Sequence, residues 1–332
     1  MREASLPLVT FYLTERCNSR CVTCDYWRHG RNDATLDSVL RVLPDLRMLD
    51  TRVALLSGGE PLLNPEWPAI AGALRNAGIK VWLLTSGLSL AKHAGAAAAC
   101  FDSITVSLDG TNPATYQAIR GLDAFDKVCE GVGAAVARGA AVSLRVTLQR
   151  ANYRELPAFV ALARELGVRQ VSFLAVDVGN PHAFARTSVN EELALSASDL
   201  PLLAALIDSL ERDHAQEFHT AFIAESPAKL RRIQQYFAAL SGAGEFPPVR
   251  CNAPEFSAVI GADASVAPCF FIPGTGVKTH SGLAAALADD SMASLRATIR
   301  AGARAECARC VCSMWRDPGQ RNDFGLPARR VS

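Results

Sequence analysis

The sequence predicts an α/β protein in which six strand-helix units form an open or partial barrel. Six short apolar runs alternate with helical patterns between residues 8 and 175, and each run is rich in Val, Ile or Leu without clean polar alternation. Strands covered by helices on both faces have this pattern. Right-handed crossovers then place the functional loops at the carboxyl ends of the strands.

The predicted strands lie at 8–13, 52–56, 79–84, 103–108, 142–148 and 168–174. Helices are predicted to start after Thr35, at 64–66 and after Asn152, because these positions supply N-caps and a first-turn proline. Gly78 and Gly167 end two of them. Two further amphipathic helices are predicted at 201–215 and 227–240, and a linker at 241–248.

Length and charge exclude several classes of protein. The 332 residues suit one barrel with a smaller appendage. Lys and Arg number 34 against 33 acidic residues, so no net field is available to hold nucleic acid or an anionic membrane. Pro7 and Thr10 interrupt any signal-peptide core, and no apolar run approaches the length of a membrane span. We therefore expect a soluble cytoplasmic protein.

Three thiols follow the first predicted strand within eight residues: Cys17, Cys21 and Cys24. A structural zinc site closes with four ligands, and a cubane iron-sulfur cluster takes four thiolates. A loop that offers three leaves one metal position open, and open positions are where metals do chemistry. A disulfide with a spare thiol, or three unrelated buried cysteines, are the alternatives.

The CxxxCxxC spacing after a first barrel strand resembles the radical S-adenosylmethionine (radical SAM) enzymes, which have a partial (β/α)6 TIM-like barrel. The resemblance implies that the three cysteines bind a [4Fe-4S] cluster whose fourth iron is chelated by S-adenosyl-L-methionine. It also implies a 5'-deoxyadenosyl radical that abstracts a substrate hydrogen, and an external electron donor such as flavodoxin or ferredoxin. Thr23 stands where the family often has an aromatic residue, so we expect Tyr26 or Trp27 to pack near the adenine.

The second predicted strand runs into Ser57-Gly58-Gly59-Glu60-Pro61. Two glycines let the backbone approach a ligand closely, and Glu60 adds an acceptor for an ammonium. A Gly-Gly turn alone is common, but downstream of CxxxCxxC it resembles the family's GGE motif. The resemblance implies that Gly58, Gly59 and Glu60 contact the methionine ammonium.

Polar residues also end the third and fourth predicted strands. By the same resemblance we expect Ser86, Ser107 and Asp109 to contact the carboxylate and ribose of the ligand, although turn formation and helix capping are alternatives. Arg145 lies inside the fifth strand and needs an anionic partner. The methionine carboxylate and a structural salt bridge are equally open to it.

The loop after the sixth predicted strand borders the barrel mouth. Asp177, Asn180 and His182 lie there and could touch substrate, although a lone histidine in such a loop is more often simply exposed. The family resemblance gives least for residues 177–249.

A second cysteine group comprises Cys251, Cys269, Cys307, Cys310 and Cys312. Four thiolates complete either a closed iron-sulfur cluster or a zinc site. A hairpin at 256–260 and 265–267, followed by a helix at 283–299, would bring them together. Two other cysteines, Cys100 and Cys129, read as core residues.

This arrangement resembles the twitch or SPASM extension of radical SAM enzymes, which implies one auxiliary [4Fe-4S] cluster. Its expected ligands are Cys251, Cys269, Cys307 and Cys310, with Cys312 in reserve because CxxCxC departs from the longer SPASM spacing. The expected divisions are a barrel at 1–176, a helical linker or insertion at 177–249, the hairpin-plus-helix iron-sulfur domain at 250–315 and a tail at 316–332.

The function expected from these resemblances is oxidation of a small molecule, with the auxiliary cluster accepting an electron after hydrogen abstraction. Peptide maturation or epimerisation is the alternative enzyme function; such enzymes often carry a leader-binding domain before the barrel, whereas here the first strand starts near residue 8. Adenosyl or carbon-skeleton chemistry is a further possibility. A non-catalytic zinc or iron-sulfur module that recognises a partner is the alternative of another class.

Overall fold

The structure, a computed structural model, describes residues 5–186, 188 and 190–317, except for the side chain of His29. Eight strands in this part of the chain form one sheet. They are β1 (Leu8–Thr14), β2 (Val53–Gly58), β3 (Lys80–Thr85), β4 (Ser103–Ser107), β5 (Val142–Leu148), β6 (Gln170–Ala175), β7 (Ser257–Ile260) and β8 (Val266–Ala267).

The sheet runs in the order β6-β5-β4-β3-β2-β1-β7-β8. The neighbouring strands from β6 through to β7 pair in parallel, and β7 pairs with β8 antiparallel. The first six strands lie within two residues of the bounds that the sequence predicts. The expectation of an α/β fold with a mostly parallel, barrel-like sheet is therefore confirmed.

The helices of the barrel follow the strands as the alternation predicts. Thr35 caps α2 and forms a reciprocal capping box with Ser38. The helices in chain order are α1 (Tyr26–His29), α2 (Leu36–Met48), α3 (Trp67–Asn76), α4 (Leu90–Cys100), α5 (Pro113–Arg120), α6 (Phe125–Val136), α7 (Leu156–Glu165), α8 (Leu200–Asp213), α9 (Ala215–His219), α10 (Pro227–Leu240), α11 (Ala253–Phe256), α12 (Leu283–Ala288), α13 (Asp290–Arg300) and α14 (Ala305–Ala308).

The two faces of the parallel sheet differ in composition. One face carries large apolar side chains, such as Phe11, Leu83 and Phe173, which pack into the core with the helices. The other face carries many polar and half-buried residues, because side chains alternate along each strand. On it Ser107 and Arg145 lie side by side in register. This polar inner face and the loops above it can accept a ligand.

The hairpin after residue 256 is confirmed, and its first strand joins the barrel sheet beside β1, with Leu8 opposite Ser257 and Phe11 opposite Ile260. The single helix predicted at 283–299 is wrong. Asp289 is extended at φ −58° and ψ 136°, and its carboxylate accepts a hydrogen bond from the Ser291 amide. Because an aspartate at this position caps a new helix, the segment divides into α12 and α13.

The predicted domain divisions stay predictions, and most of the predicted tail, residues 318–332, lies outside the described residues.

Within the described residues, the segment Glu191–Asp213 is long and apolar enough, by length and composition, to cross a membrane. The α-helix in it has 14 residues, and Leu203, Ile207 and Leu210 on it are buried in the protein. A helix of about 20 residues is needed to span a bilayer, so the segment is weak evidence for a membrane location.

Candidate functional site

The cysteine loop leaves the carboxyl end of β1 and is organised around Ser19. The Ser19 amide donates to the Sγ of Cys17 at 3.4 Å, and the Ser19 hydroxyl lies 3.3 Å from the Sγ of Cys21. Ser19 itself is buried. The first two predicted ligands are thus held on either side of one buried serine, and all three cysteines are free, half-buried thiols.

The three thiols lie within electrostatic reach of one another. Burial raises the pKa of Cys17 to about 11 and that of Cys24 to about 12, and neighbouring thiols add to both shifts. Because burial disfavours thiolates here, deprotonation requires a compensating positive charge such as a bound metal centre. Three half-buried thiols on one loop are a donor set that fits a cluster with one open iron.

We find no position in residues 5–186, 188 and 190–317 where three or more His, Cys, Asp or Glu side chains converge to hold one metal ion. In a cubane each thiolate binds a different iron, so the ligand sulfurs stand further apart than the ligands of one ion. Within the described residues the thiols therefore do not form a closed site for a single ion.

Arg120, a residue that the sequence analysis missed, connects Cys21 to Asp109. Its guanidinium lies 3.5 Å from the Sγ of Cys21 and 2.7 Å from the Asp109 carboxylate. Asp109 also accepts a hydrogen bond from the Thr147 amide at 2.7 Å. A last-turn arginine in α5 looks like an ordinary C-terminal helix cation in the sequence, and only the fold brings it to the cysteine loop. The predicted contact of Asp109 with the ligand stays a prediction.

Glu60 brings the GGE turn and the end of β3 together. Its buried carboxylate accepts hydrogen bonds from the Thr85 hydroxyl at 2.8 Å, from the Ser86 amide at 2.7 Å and from the Ser86 hydroxyl at 2.6 Å. The Leu62 amide donates to it as well. Glu60 and Ser86, two of the predicted ligand-binding residues, are therefore in direct contact, and the carboxylate is fully satisfied. Their contacts with the ligand stay predictions.

The two glycines before Glu60 pack directly against the cysteine loop. Gly58 has a φ of +117°, which strongly favours glycine. A Cβ on Gly59 would lie 2.2 Å from the carbonyl oxygen of Arg16. The Gly59 amide donates to Thr14 and the Glu60 amide donates to Arg16. The glycines thus permit close approach between this turn and the segment that leads into Cys17.

Arg145 and Ser107 lie on the inner face of the sheet. The Nε of Arg145 is buried and has no hydrogen-bond partner among the described residues. Burial raises the pKa of the nearby Glu225, and the Phe173 amide, Lys229 and Arg145 oppose that shift. Lys229 is the partner of Glu225, at 3.5 Å. Arg145 therefore keeps unused hydrogen-bonding capacity toward the interior of the barrel.

Of the two aromatic residues expected near the adenine, Tyr26 is within electrostatic reach of Cys24. Burial raises its pKa, and the Cys24 thiol adds to the shift. The ring of Trp27 instead stacks under the Arg28 guanidinium at 4.1 Å. Both contacts with adenine stay predictions.

The second cysteine group lines one cavity of about 530 Å³, which Cys251, Cys269, Cys307, Cys310 and Cys312 all border. Burial raises the pKa of Cys269 to about 11 and raises the pKa of Cys307, Cys310 and Cys312 as well. For Cys312, the cationic groups of Arg145 and Lys229 oppose this rise in pKa. Cys312 is thus within electrostatic reach of these two cations.

Tyr12 lies between the two cysteine groups. Its ring centroid is 5.9 Å from that of Tyr26 and 6.3 Å from that of Phe270. Burial raises its pKa, and the thiols of Cys24 and Cys269, one from each group, add to the shift. Both groups are therefore close to one side chain on the inner face of β1.

A smaller cavity of about 240 Å³ adjoins Tyr12 and is also lined by His182, Phe184 and Phe270. Asp177 and Asn180 support this loop: Asp177 accepts from the amides of Gly179 and Asn180, and the Asn180 side chain donates to the Phe271 carbonyl at 2.6 Å. Of the three residues predicted to border substrate, His182 lines a cavity, whereas the other two hold the loop.

Sequence comparisons match part of the chain to known proteins. Residues 11–171 match the family model described as "Radical SAM superfamily". Fe-coproporphyrin III synthase of Methanosarcina barkeri is 28% identical over 200 residues, which are 58% of this chain and 49% of that protein. Pre-heme d1 synthase of Dinoroseobacter shibae is 30% identical over 223 residues, 64% and 54% of the two chains. Probable GTP 3',8-cyclase of Saccharolobus islandicus is 32% identical over 167 residues, 49% and 54%.

The chain thus spans about half the length of the curated relatives that it matches. Among solved structures, Streptococcus suis SuiB bound to S-adenosylmethionine has a TM-score of 0.66 at 14% identity, with 94% of this chain and 73% of that chain covered. Native anSMEcpe with bound AdoMet has a TM-score of 0.63 at 15% identity, with 87% and 82% covered. At identities this low, the structural likeness shows a shared fold and nothing beyond it. Together the matches show that residues 11–171 are similar to radical SAM enzymes, a family that implies a [4Fe-4S] cluster and S-adenosylmethionine.

Proposed function

We propose that this chain reductively cleaves S-adenosyl-L-methionine and uses the resulting radical to oxidise a small molecule, with a second iron-sulfur cluster accepting an electron. The observation that carries the proposal is the position of Tyr12 on the inner face of the barrel. Its ring packs against Tyr26 and Phe270, and it is within electrostatic reach of Cys24 and Cys269, one thiol from each group. A substrate bound beside Tyr12 would lie near both.

At the first site, Cys17, Cys21 and Cys24 would hold the [4Fe-4S] cluster. When bound, this group supplies the electron that cleaves the sulfonium. Glu60 would receive the methionine ammonium, since a carboxylate suits a cation. For that to happen the Ser86 hydroxyl must release Glu60, and the Oδ1 of Asn18, 3.5 Å away, offers it another acceptor.

Ser107 and Arg145 would bind the carboxylate and ribose of the same ligand from the inner face. The unpartnered Nε of Arg145 supports this role, because a buried cation gains most from an anion that satisfies its remaining donors.

At the second site, Cys251, Cys269, Cys307 and Cys310 would hold an auxiliary [4Fe-4S] cluster, which supplies an electron acceptor when bound. The shared cavity supports this assignment. We assign the fourth bond to Cys310, because its thiol is within electrostatic reach of both Cys251 and Cys269, and we keep Cys312 as the reserve ligand. We place the protein in the cytoplasm, where ten free thiols suit a reducing compartment, with flavodoxin or ferredoxin as the electron donor.

A small molecule is the preferred substrate because the cavity beside Tyr12 is about 240 Å³. The names of the curated relatives, a GTP cyclase and synthases of coproporphyrin and heme compounds, are consistent with a small molecule. A peptide is the second candidate, since SuiB, which shares the fold, has been solved with its precursor peptide SuiA.

The test is anaerobic reconstitution followed by iron analysis and assay of 5'-deoxyadenosine. Two cubanes predict about eight irons per chain. Replacing Cys17, Cys21 and Cys24 by Ala should remove one cluster and all cleavage, whereas replacing Cys129 should change neither. Replacing Cys251 and Cys269 should spare cleavage but stop product formation.

Cleavage that survives loss of the first three cysteines would refute the first site. Product formation without Cys251 and Cys269 would refute the electron-acceptor role of the second. Stoichiometric zinc with no cleavage would favour the non-catalytic binding module.

A further inference from the structure

The C-terminal turn of α5 supports the cysteine loop through its backbone. The amides of Arg20 and Val22 donate to the carbonyl oxygens of Arg120 and Ile119, each at 3.0 Å. The Ser19 hydroxyl donates to the same Arg120 carbonyl at 3.3 Å. The loop that carries Cys21 is therefore attached to the end of this helix at three points.

The side chain of Arg120 also contacts the cysteine loop. Its guanidinium is buried between the Asp109 carboxylate, at 2.7 Å, and the Sγ of Cys21, at 3.5 Å. A planar guanidinium held by a carboxylate keeps its remaining donors in a fixed direction. Because the ion pair is buried, salt in the solvent screens its field only weakly.

We propose that Arg120, held in place by Asp109, is a positioning residue that raises the reduction potential of the cluster bound through Cys21. The inference rests on the proposed first cluster and deepens it. Hydrogen bonds to ligand sulfurs and the net local charge set the potential of iron-sulfur clusters.

The physical reason is a difference in charge between two states of the cluster. One electron moves from the flavodoxin-type or ferredoxin-type donor onto the cluster, and no bond forms or breaks in this step. The reduced cluster carries one more negative charge, so a cation beside a ligand sulfur stabilises it more than the oxidised cluster. The carboxylate of Asp109 partly cancels this effect while it fixes the geometry.

The test is a redox titration of the reconstituted full-length protein, followed by electron paramagnetic resonance. The signal that changes when S-adenosylmethionine is added identifies the first cluster, because only an open iron can bind it. Three variants are compared with the wild type: Arg120→Gln, Arg120→Lys and Asp109→Asn. Arg75→Gln is the matched control, since it removes another helix-end arginine from an ion pair of 3.0 Å with Asp102, away from the cysteine loop.

We expect the midpoint potential to shift to more negative values in Arg120→Gln, because both the charge and the donor are lost. Arg120→Lys should shift less, since it keeps the charge. Asp109→Asn should shift to more positive values, because the arginine charge is then uncompensated. Arg75→Gln should match the wild type.

The opposite signs separate an electrostatic role from a structural one, since Arg120→Gln and Asp109→Asn break the same ion pair. Shifts of the same sign in these two variants, or an unchanged potential in an Arg120→Gln protein with full iron content, would overturn the inference. If Arg120→Gln does not hold iron, the contrast between Arg120→Lys and Asp109→Asn decides. Absence of an S-adenosylmethionine-sensitive cluster in the wild type would instead refute the proposed function.

Discussion

The carboxylate of Glu60 accepts hydrogen bonds from both the amide and the hydroxyl of Ser86, at 2.7 and 2.6 Å. Glu60 follows β2 and Ser86 follows β3, so this contact joins the carboxyl ends of two neighbouring strands. The same turn packs against the segment that leads into Cys17. Glu60 therefore orders three adjacent loops before any ligand is bound.

Glu60→Gln should destabilise the apoprotein. The carboxylate accepts hydrogen bonds from Thr85, Ser86 and Leu62. The side-chain NH₂ group of glutamine would instead face some of these N–H and O–H donors. A buried donor left without an acceptor costs about 1–3 kcal/mol. Urea unfolding under reducing conditions measures the loss. Glu66→Gln is the control, since the exposed bond from the Leu36 amide to Glu66 should survive an amide oxygen. Equal stability of both variants would contradict the role of Glu60.

Gly59→Ala should displace the cysteine loop and reduce the iron bound by the first site. Its Cβ would lie 2.2 Å from the Arg16 carbonyl oxygen, and backbone cannot move aside cheaply. Overpacking of this kind costs about 1–3 kcal/mol. Gly72→Ala is the control, because that Cβ would meet nothing within 4 Å on α3, and alanine in a helix is favoured by roughly 0.5–1 kcal/mol. Iron content and thermal unfolding measure both effects; full iron content in Gly59→Ala would contradict the close packing.

Asp199 should make stability depend on acid pH. Hydrogen bonds from Ser196, above all, and from Tyr153 lower its pKa to about 2. A carboxyl group whose pKa is lower in the folded state stabilises the protein above its unfolded pKa of about 3.9, by roughly 2 kcal/mol for this shift. That contribution falls away as the pH drops from about 4 toward 2.

Unfolding free energies of wild type and Asp199→Asn, measured between pH 6 and the acid limit, test this. The wild type should lose its advantage over the variant as the pH falls through that window. Asp213→Asn is the control, because Asp213 is exposed and water weakens its interactions. A constant difference between wild type and Asp199→Asn at all pH values would contradict the shift.

Cys310 and Cys312 should differ in iron binding. Cys310 is within electrostatic reach of Cys251 and Cys269, whereas the groups that act on the pKa of Cys312 are Arg145, Lys229 and Cys251. We expect Cys310→Ser to lower the iron content to about four per chain, which is one cubane, and Cys312→Ser to retain about eight. Iron analysis and the electron paramagnetic resonance spectrum measure this. Loss of iron in Cys312→Ser with full retention in Cys310→Ser would reverse the assignment.

The six barrel strands could be predicted because each is encoded locally, as in the apolar run of β5 at Val142–Leu148. The two cysteine groups could be predicted as metal ligands because the spacing of their cysteines is visible in the sequence. Arg120 could not be found, because its contact with Cys21 joins residues 99 positions apart. The break at Asp289 was missed because capping competes with an otherwise continuous helical pattern.

The parallel pairing of β7 with β1 has a consequence for how this protein tolerates change. Four residue pairs, from Leu8–Ser257 to Phe11–Ile260, lock the hairpin against the strand that leads into the first cysteines. Backbone ladders at a fixed spacing of about 4.8 Å, and not the length of the connecting chain, then determine the separation of the two thiol sets. Evolution and engineering are therefore free to lengthen the exposed turn at 242–244, while a one-residue slip of β7 would change the separation of the two thiol sets.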